Sequence, residues 1–235
     1  MDSEMSQGSV GQRGSSLTTD LTRFRRPILV AAVLLSTILY FPLNHAFADQ
    51  HVLTTSLEDR LPVVPVFAVP YLLFLPVFWL TVIYSLITDR GFTQLALGIA
   101  LAYFVSDAIY LVFHTYMPRP SHVSGAFSGL VHFVYSHDHP YNDFPSEHAS
   151  SAALMAMFYW FYSSRWRWPM AVFALLVVSA TVLIRQHSLA GALSGALLGL
   201  SAWWLAGVLG DRLFGLQAGV EQNRLYGNRK DNPGK

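Results

Sequence analysis

The sequence predicts an all-α transmembrane protein, a six-helix bundle with both termini in the cytoplasm. Three observations support this prediction. The 235-residue chain is 53% hydrophobic and only 12% charged, whereas a soluble domain carries about 25% charged residues. Six apolar stretches meet or approach the roughly 20 residues that a helix needs to cross a bilayer. The basic residues are concentrated in alternate connecting segments, as the positive-inside rule requires.

The chain divides into a polar tail (1–26), a membrane domain (27–213) and a second polar tail (214–235). The first tail is rich in Gly and Ser and ends in a short basic run, which is typical of a solvated, disordered segment. The fourth apolar stretch is short, so its helix has to start near Ser146. The six predicted membrane helices cover residues 27–43, 61–87, 92–113, 149–162, 168–184 and 188–210.

The first apolar stretch also allows a second interpretation, as a secretory signal. Arg25 and Arg26 precede its apolar core, and the small residues around Phe47 resemble a cleavage site. The polar leader is long for such a signal. The second helix begins on the outer side under either interpretation, so the topology beyond it is the same.

The 15 Lys and Arg residues predict the orientation of the bundle. Twelve of them lie in the two tails, in two loops and at Arg212 after the last helix, all on one side, which is therefore assigned to the cytoplasm. The other side holds only Arg60, Arg119 and Arg185. A net charge of +1 without a long basic run argues against a nucleic-acid partner. The absence of Cys from the sequence excludes disulfides and thiolate metal sites.

Three polar clusters lie at predicted helix ends on the non-cytoplasmic side. They are Met117-Pro118-Arg119-Pro120, Pro145-Ser146-Glu147-His148 and Arg185-Gln186-His187. Arginine presents a planar fork of donors that suits phosphate oxygens. A Ser at a helix start, together with the first free N–H groups of that helix, forms an anion site. Two histidines can share the work of nucleophile and general acid, so the clusters predict a phosphate site.

These clusters resemble the signature blocks of the type-2 phosphatidic acid phosphatase superfamily, over roughly residues 55–200. The details are similar to its inositol-phosphorylceramide-synthase branch. The features shared with that branch are Glu58-Asp59-Arg60-Leu61-Pro62 with Pro65 and Tyr71, Asp138-x-Pro140-x-Asn142 before Pro145-Ser146-x-His148, and Gln186-His187 with a basic residue two before the His. The resemblance implies a membrane-embedded phosphatase or phosphotransferase that acts on a lipid phosphate or phosphodiester.

The resemblance also implies a role for each site residue. His187 attacks phosphorus and holds a phosphohistidine, while His148 protonates the leaving alkoxide and then activates the acceptor. Arg119, Ser146 and Arg185 stabilise the phosphate oxygens. Neither a metal nor a cofactor is implied. The acceptor is water or an alcohol, and the motifs are compatible with both.

The chain departs from the family pattern at three positions. Val112 and Thr181 replace a Lys and an Arg that the synthase-like branch lacks as well. Gly191 replaces the Asp that orients the nucleophilic histidine from four residues further along the helix. In serine-protease triads, loss of the orienting carboxylate costs roughly 10⁴ in rate. Unless another residue substitutes, the alternative function is a lipid-phosphate-binding protein with impaired catalysis.

Three acidic residues are candidates for this substitution, namely Asp107, Asp143 and Glu147, and Asn142 and Gln186 are further candidates for support of the site. Asp107 lies inside the third helix, where a structural hydrogen bond to a Tyr or His is the more typical role. If no acid substitutes, Gly191→Asp is expected to raise turnover, provided that the side chain fits.

Five histidines fall between His114 and His139, and they allow a second interpretation of this segment. Such a density of His, with Asp138 among them, is compatible with a metal site. A loop on the non-cytoplasmic side with pH-sensitive character is the preferred interpretation.

Overall fold

In this computed structural model, residues 23–214 are described, and they form eight α-helices without a β-strand. The helices are α1 (Arg25–Leu43), α2 (Ser56–Arg60), α3 (Ala68–Thr88), α4 (Phe92–Val112), α5 (Ser128–His137), α6 (Glu147–Tyr162), α7 (Arg167–Leu183) and α8 (Leu189–Phe214). A 3₁₀ turn, Pro65–Phe67, leads into α3. The all-α prediction is therefore confirmed for the described residues. The predictions for 1–22 and 215–235 lie outside them.

Helices α1, α3, α4, α6, α7 and α8 occupy the six apolar stretches of the sequence. Four spans are long and apolar enough to cross a membrane: α1, α3 with its 3₁₀ turn, α4 and α8. Helix α7 is apolar but has 17 residues, and α6 has 16. The four long apolar spans fit a membrane protein, while several crossings of the membrane and the count of six helices remain predictions.

Helix α6 lies at the centre of the bundle and packs mainly against α7 and α8, while α4 packs against α8 and α1. The Ala and Ser side chains in the first turns of α6 are all buried, because only small side chains fit between closely spaced helices. Further from the site, large apolar side chains fill the core, among them Phe78, Phe158 and Trp203.

A stripe of glycines brings α8 into backbone contact with the start of α6. A Cβ atom at Gly191 would overlap the carbonyl oxygen of Asp143, and one at Gly195 would overlap that of Ser146. Gly199 repeats this contact one turn further along. The stripe therefore lets α8 pack directly against the segment that carries the second polar cluster.

The three polar clusters meet at one end of the bundle, called the site end below, where α4 and α7 finish and α6 and α8 begin. The opposite end is closed by Arg25, which donates two hydrogen bonds of 2.8 Å to the carboxylate of Asp89. Arg26 lies 3.2 Å from the same carboxylate. This ion pair joins the start of α1 to the end of α3.

Candidate active site

A cavity of about 320 Å³ lies at the site end. Its polar lining includes both histidines of the predicted site, His148 and His187, together with Asp138 and Glu147. Its apolar wall comes mostly from α1, α3 and α5. Two predicted catalytic residues thus share one cavity with a long apolar surface.

His187 sits in a tight turn between α7 and α8. Its backbone N–H donates to the carbonyl of Thr181 at 2.9 Å, and its side chain is 3% exposed. The ring Nδ1 lies 3.0 Å from the carbonyl oxygen of Asp143. Because a carbonyl only accepts hydrogen bonds, Nδ1 carries the proton of the neutral ring, and Nε2 is left with its lone pair. Nε2 has no hydrogen-bond partner among residues 23–214.

Asp143 supports His187 with its side chain as well as its carbonyl. Its Oδ1 lies 3.7 Å from Nδ1 of His187 and accepts a 2.6 Å hydrogen bond from the N–H of Ser188. Asp143 is fully buried, and a Cβ at Gly191 would stand 2.9 Å from its Oδ1. Asp143 therefore occupies the space that a side chain at Gly191 would need. The condition set for Gly191→Asp, a side chain that fits, is therefore not met, because the added carboxylate has no room.

The other two candidate acids lie elsewhere. Glu147 lines the cavity from the first turn of α6, and its Oε1 has no hydrogen-bond partner within the described part of the chain. Asp107 is buried in α4, and neither of its carboxylate oxygens has a hydrogen-bond partner among the described residues. Asp107 therefore accepts no hydrogen bond from a Tyr or His within residues 23–214, contrary to expectation. Of the three acids, Asp143 is the one in contact with His187.

His148 lies in the first turn of α6, and its ring stacks on Tyr71 with centroids 4.6 Å apart. The rings of His148 and His187 have centroids 5.8 Å apart, and both residues line the cavity. Ser146 caps α6, since its Oγ accepts the N–H of Ala149 at 3.3 Å. The predicted Ser hydroxyl is therefore committed to the helix start.

Asn142 adopts the left-handed conformation, with φ of 58°, in the loop before α6. Asparagine tolerates this conformation better than most residues do. Its side chain is buried, and Nδ2 has no hydrogen-bond partner within residues 23–214. Asn142 thus shapes the turn that delivers Asp143 to His187.

Arg119 reaches the neighbourhood of His187 through Gln186. Its guanidinium donates to Oε1 of Gln186 at 2.5 Å and to the carbonyl of Asp138 at 2.8 Å. It also lies over the ring of Tyr135, 4.4 Å from the centroid. Burial lowers the pKa of Arg119 from its usual value, with Asp138 opposing this effect. Its Nε has no hydrogen-bond partner in the described residues.

Arg185 has a different setting from the one predicted. Its guanidinium donates to the carbonyls of Glu58 and Leu61, the latter at 3.0 Å. The carboxylate of Glu58 accepts the N–H of Leu189 at 2.5 Å. Arg185 therefore fastens α2 to the turn that carries His187, and neither Arg185 nor Arg119 lines the cavity.

Asp138 is one of the features shared with the synthase branch, but the sequence alone predicts no role for it in the phosphate site. Its Oδ1 accepts hydrogen bonds from Tyr40 at 2.9 Å and from Asn44 at 3.1 Å, and its Oδ2 accepts one from Tyr71 at 2.7 Å. Tyr40 and Asn44 were missed entirely. The signal that could have found them is their position as polar residues at the outer end of an apolar helix.

The pKa of Asp138 reflects its surroundings. Burial, the largest single effect, raises it, but His148, the hydrogen bond from Tyr71, Gln186 and His187 together lower the pKa below its usual value. Asp138 is therefore ionised at neutral pH.

The His-rich segment does not gather its side chains. His114, for example, pairs with Asp49 at 3.0 Å rather than with another histidine. Among residues 23–214, no group of three or more His, Cys, Asp or Glu side chains is arranged to hold a metal ion.

Fold and site together define a helical membrane protein with a histidine pair beside an apolar cavity. The sequence profile of the PAP2 superfamily matches residues 91–212, which is 122 of the 235 residues. The chain belongs to the PAP2 superfamily, whose members are membrane-bound phosphatases or phosphotransferases. No curated protein and no solved structure matches the chain.

Proposed function

We propose that the protein is a membrane-embedded, metal-independent lipid phosphate phosphatase or phosphotransferase that acts through a phosphohistidine on His187. One observation carries the proposal. The Nδ1–H of His187 is bound to the carbonyl of Asp143, so the lone pair of Nε2 is available in a cavity shared with His148. A histidine fixed in this tautomer is prepared for nucleophilic attack.

The reaction proceeds in two displacements. Nε2 of His187 attacks phosphorus, the bond to the leaving oxygen breaks, and His148 gives that oxygen its proton. An acceptor hydroxyl then attacks the phosphohistidine, His148 takes the acceptor's proton, and the bond between phosphorus and Nε2 breaks. Water as acceptor gives a phosphatase, and an alcohol gives a phosphotransferase. The similarity to the synthase branch favours an alcohol.

Two groups are proposed to stabilise the phosphate oxygens. The first is Arg119, which lies outside the lining of the cavity but donates to Asp138, a residue of that lining. Its Nε has no hydrogen-bond partner among residues 23–214. The second is the start of α6, where free N–H groups and the helix dipole favour an anion. Arg185, which the resemblance assigns to phosphate, contributes here by holding the turn of His187 through α2.

A lipid substrate suits the cavity because its apolar wall continues from the histidines along α3. Phe74, Leu75 and Trp79 form this wall, and Leu75 is 56% exposed. Burial of a hydrocarbon chain against such a surface gains roughly 25 cal/mol per Å². The apolar wall therefore supports a substrate that stays anchored in the membrane while its phosphate reaches His187.

The distribution of basic residues supports six spans with both termini in the cytoplasm and the site end on the periplasmic, extracellular or lumenal side. The alternative, a lipid-phosphate-binding protein with impaired catalysis, depends on Gly191. The contact between Asp143 and His187 favours catalysis over this alternative, because it supplies the orientation that Gly191 does not.

The proposal is tested with purified protein in detergent and a panel of lipid phosphates and phosphodiesters, each with and without an alcohol acceptor. We expect product formation and an acid-labile phosphoenzyme in the wild type, and neither in His187→Ala. Binding of the lipids without turnover in the wild type would support the alternative function instead.

A further inference from the structure

We infer that Asp138 is a positioning residue that supplies the counter-charge for the protonated form of His148. The inference rests on the proposed function, in which His148 gives a proton to the leaving oxygen. It adds a residue that acts through His148 rather than on the substrate.

The carboxylate of Asp138 is held in one place by donors from two helices. Tyr40 and Asn44, at the end of α1, donate to Oδ1, and Tyr71, near the start of α3, donates to Oδ2. Three hydrogen bonds to an ionised group favour its charged form. The negative charge is therefore fixed at the wall of the cavity.

Among residues 23–214, no cation forms an ion pair with this carboxylate. Arg119 donates to the backbone carbonyl of Asp138 and not to its carboxylate. All three donors to the carboxylate are neutral groups. Its charge thus remains available to a cation that forms in the cavity during the reaction.

Tyr71 connects Asp138 to His148. Its hydroxyl donates to Asp138, while its ring stacks on the imidazole of His148, at a centroid distance of 4.6 Å and an angle of 25°. Asp138 and His148 also line the same cavity. A negative charge near an imidazole stabilises its protonated form, and the pKa of Asp138 is lowered in turn by His148.

Other titratable groups face the same region and have to be separated from Asp138 by experiment. They are Tyr40 on α1, Tyr71 on α3, Tyr103 on α4, His137 on α5, Glu147 on α6 and His187 on the turn before α8. Glu147 is the strongest competitor, because it neighbours His148 in sequence and lines the cavity.

The test compares two phosphate esters that differ only in their leaving group, namely an alkyl ester and a p-nitrophenyl ester. General acid catalysis contributes about 10²–10⁴-fold, and it matters for the poor alkyl leaving group far more than for nitrophenolate. In Asp138→Asn, we expect kcat/KM for the alkyl ester to fall by about 10²-fold, with little change for the aryl ester. The alkaline limb of the pH–rate profile should also move to lower pH.

Three further variants make the outcome decisive. Tyr71→Phe keeps the stacked ring but removes one hydrogen bond. It should change kcat/KM for each ester in the same direction as Asp138→Asn, but by less. Asp138→Glu, which keeps a carboxylate, should have a higher kcat/KM for the alkyl ester than Asp138→Asn. This variant tests the inference even if Asp138→Asn folds poorly. Asp49→Asn, which alters an exposed carboxylate outside the cavity, should leave kcat/KM for both esters unchanged.

Equal losses on the two esters in Asp138→Asn would overturn the inference. So would a selective loss on the alkyl ester in Glu147→Gln that is absent from Asp138→Asn. The proposed function is judged separately by His187→Ala, which should abolish turnover of both esters. Failure of the wild type to turn over either ester would contradict both the proposed function and this role of Asp138.

Discussion

His187 and Asp143 meet at two points, since Nδ1 of the imidazole lies 3.0 Å from the backbone carbonyl of Asp143 and 3.7 Å from its Oδ1. In the family pattern, the orienting carboxylate comes from the same helix as the histidine, four residues later. Here that position is Gly191, and the acid comes from the loop before α6. The contact is possible because a glycine lets this loop approach α8.

Replacement of Asp143 should separate its two contributions to the site. Asp143→Asn retains an oxygen that can accept the N–H of Ser188, and the backbone carbonyl still binds His187. We expect a lowered turnover, but a smaller loss than the roughly 10⁴-fold seen when a triad carboxylate is neutralised. Phosphate release per folded molecule measures it. An unchanged turnover would show that the carbonyl alone orients His187.

Asp143→Ala should also destabilise the fold. The N–H of Ser188, which is buried, loses its 2.6 Å acceptor. An unsatisfied buried donor costs about 1–3 kcal/mol. Thermal unfolding in detergent should therefore separate Asp143→Ala from Asp143→Asn, and identical melting temperatures would contradict the importance of this hydrogen bond.

Gly191→Ala should destabilise the protein because the added methyl group overlaps the carbonyl of Asp143. Overpacking costs typically 1–3 kcal/mol, and the displaced loop should also lower turnover. Gly129→Ala is the matched control, since nothing lies within 4 Å of a Cβ at that position. If both variants melt like the wild type, α8 and the loop are not in close contact.

The long helices were largely predictable because an apolar run of sufficient length indicates a membrane helix. Helix α2 was missed because it has five residues and is polar. Its signal was nevertheless present in the sequence, since Thr55 and Glu58 have the spacing of a capping box and form one. Helix α5 was missed because it follows a loop and lacks a long apolar run.

The site was predictable to the level of motifs but not of contacts. The motifs place His148 and His187 at helix ends on one side of the bundle, and the packing of α6 against α7 and α8 brings them together. By contrast, the choice of Asp143 over Glu147 depends on how closely α8 packs against one loop. Arg185 was assigned to phosphate by its position beside His187, whereas the fold turns its side chain toward α2. The direction in which a side chain points depends on tertiary packing.

Chelation should leave activity intact. The proposed chemistry uses His187 as nucleophile and His148 as acid and base, so no step requires a cation. We expect turnover to be unchanged after treatment with EDTA and dialysis. Loss of activity that a divalent cation restores would favour the metal interpretation of the His114–His139 segment and would contradict the metal-independent mechanism.

The orientation of the site end can be tested by cysteine labelling, because the natural sequence contains no Cys. Ser124 is exposed in the loop before α5, and Thr88 is exposed at the opposite end of the bundle. In intact bacterial cells that produce the protein in their inner membrane, a maleimide that crosses only the outer membrane should label Ser124→Cys. Thr88→Cys should react only after the inner membrane is permeabilised, because the basic residues at its end of the bundle are retained in the cytoplasm. The reverse pattern would place His148 and His187 at the cytoplasmic face and would exclude a substrate drawn from the outer leaflet.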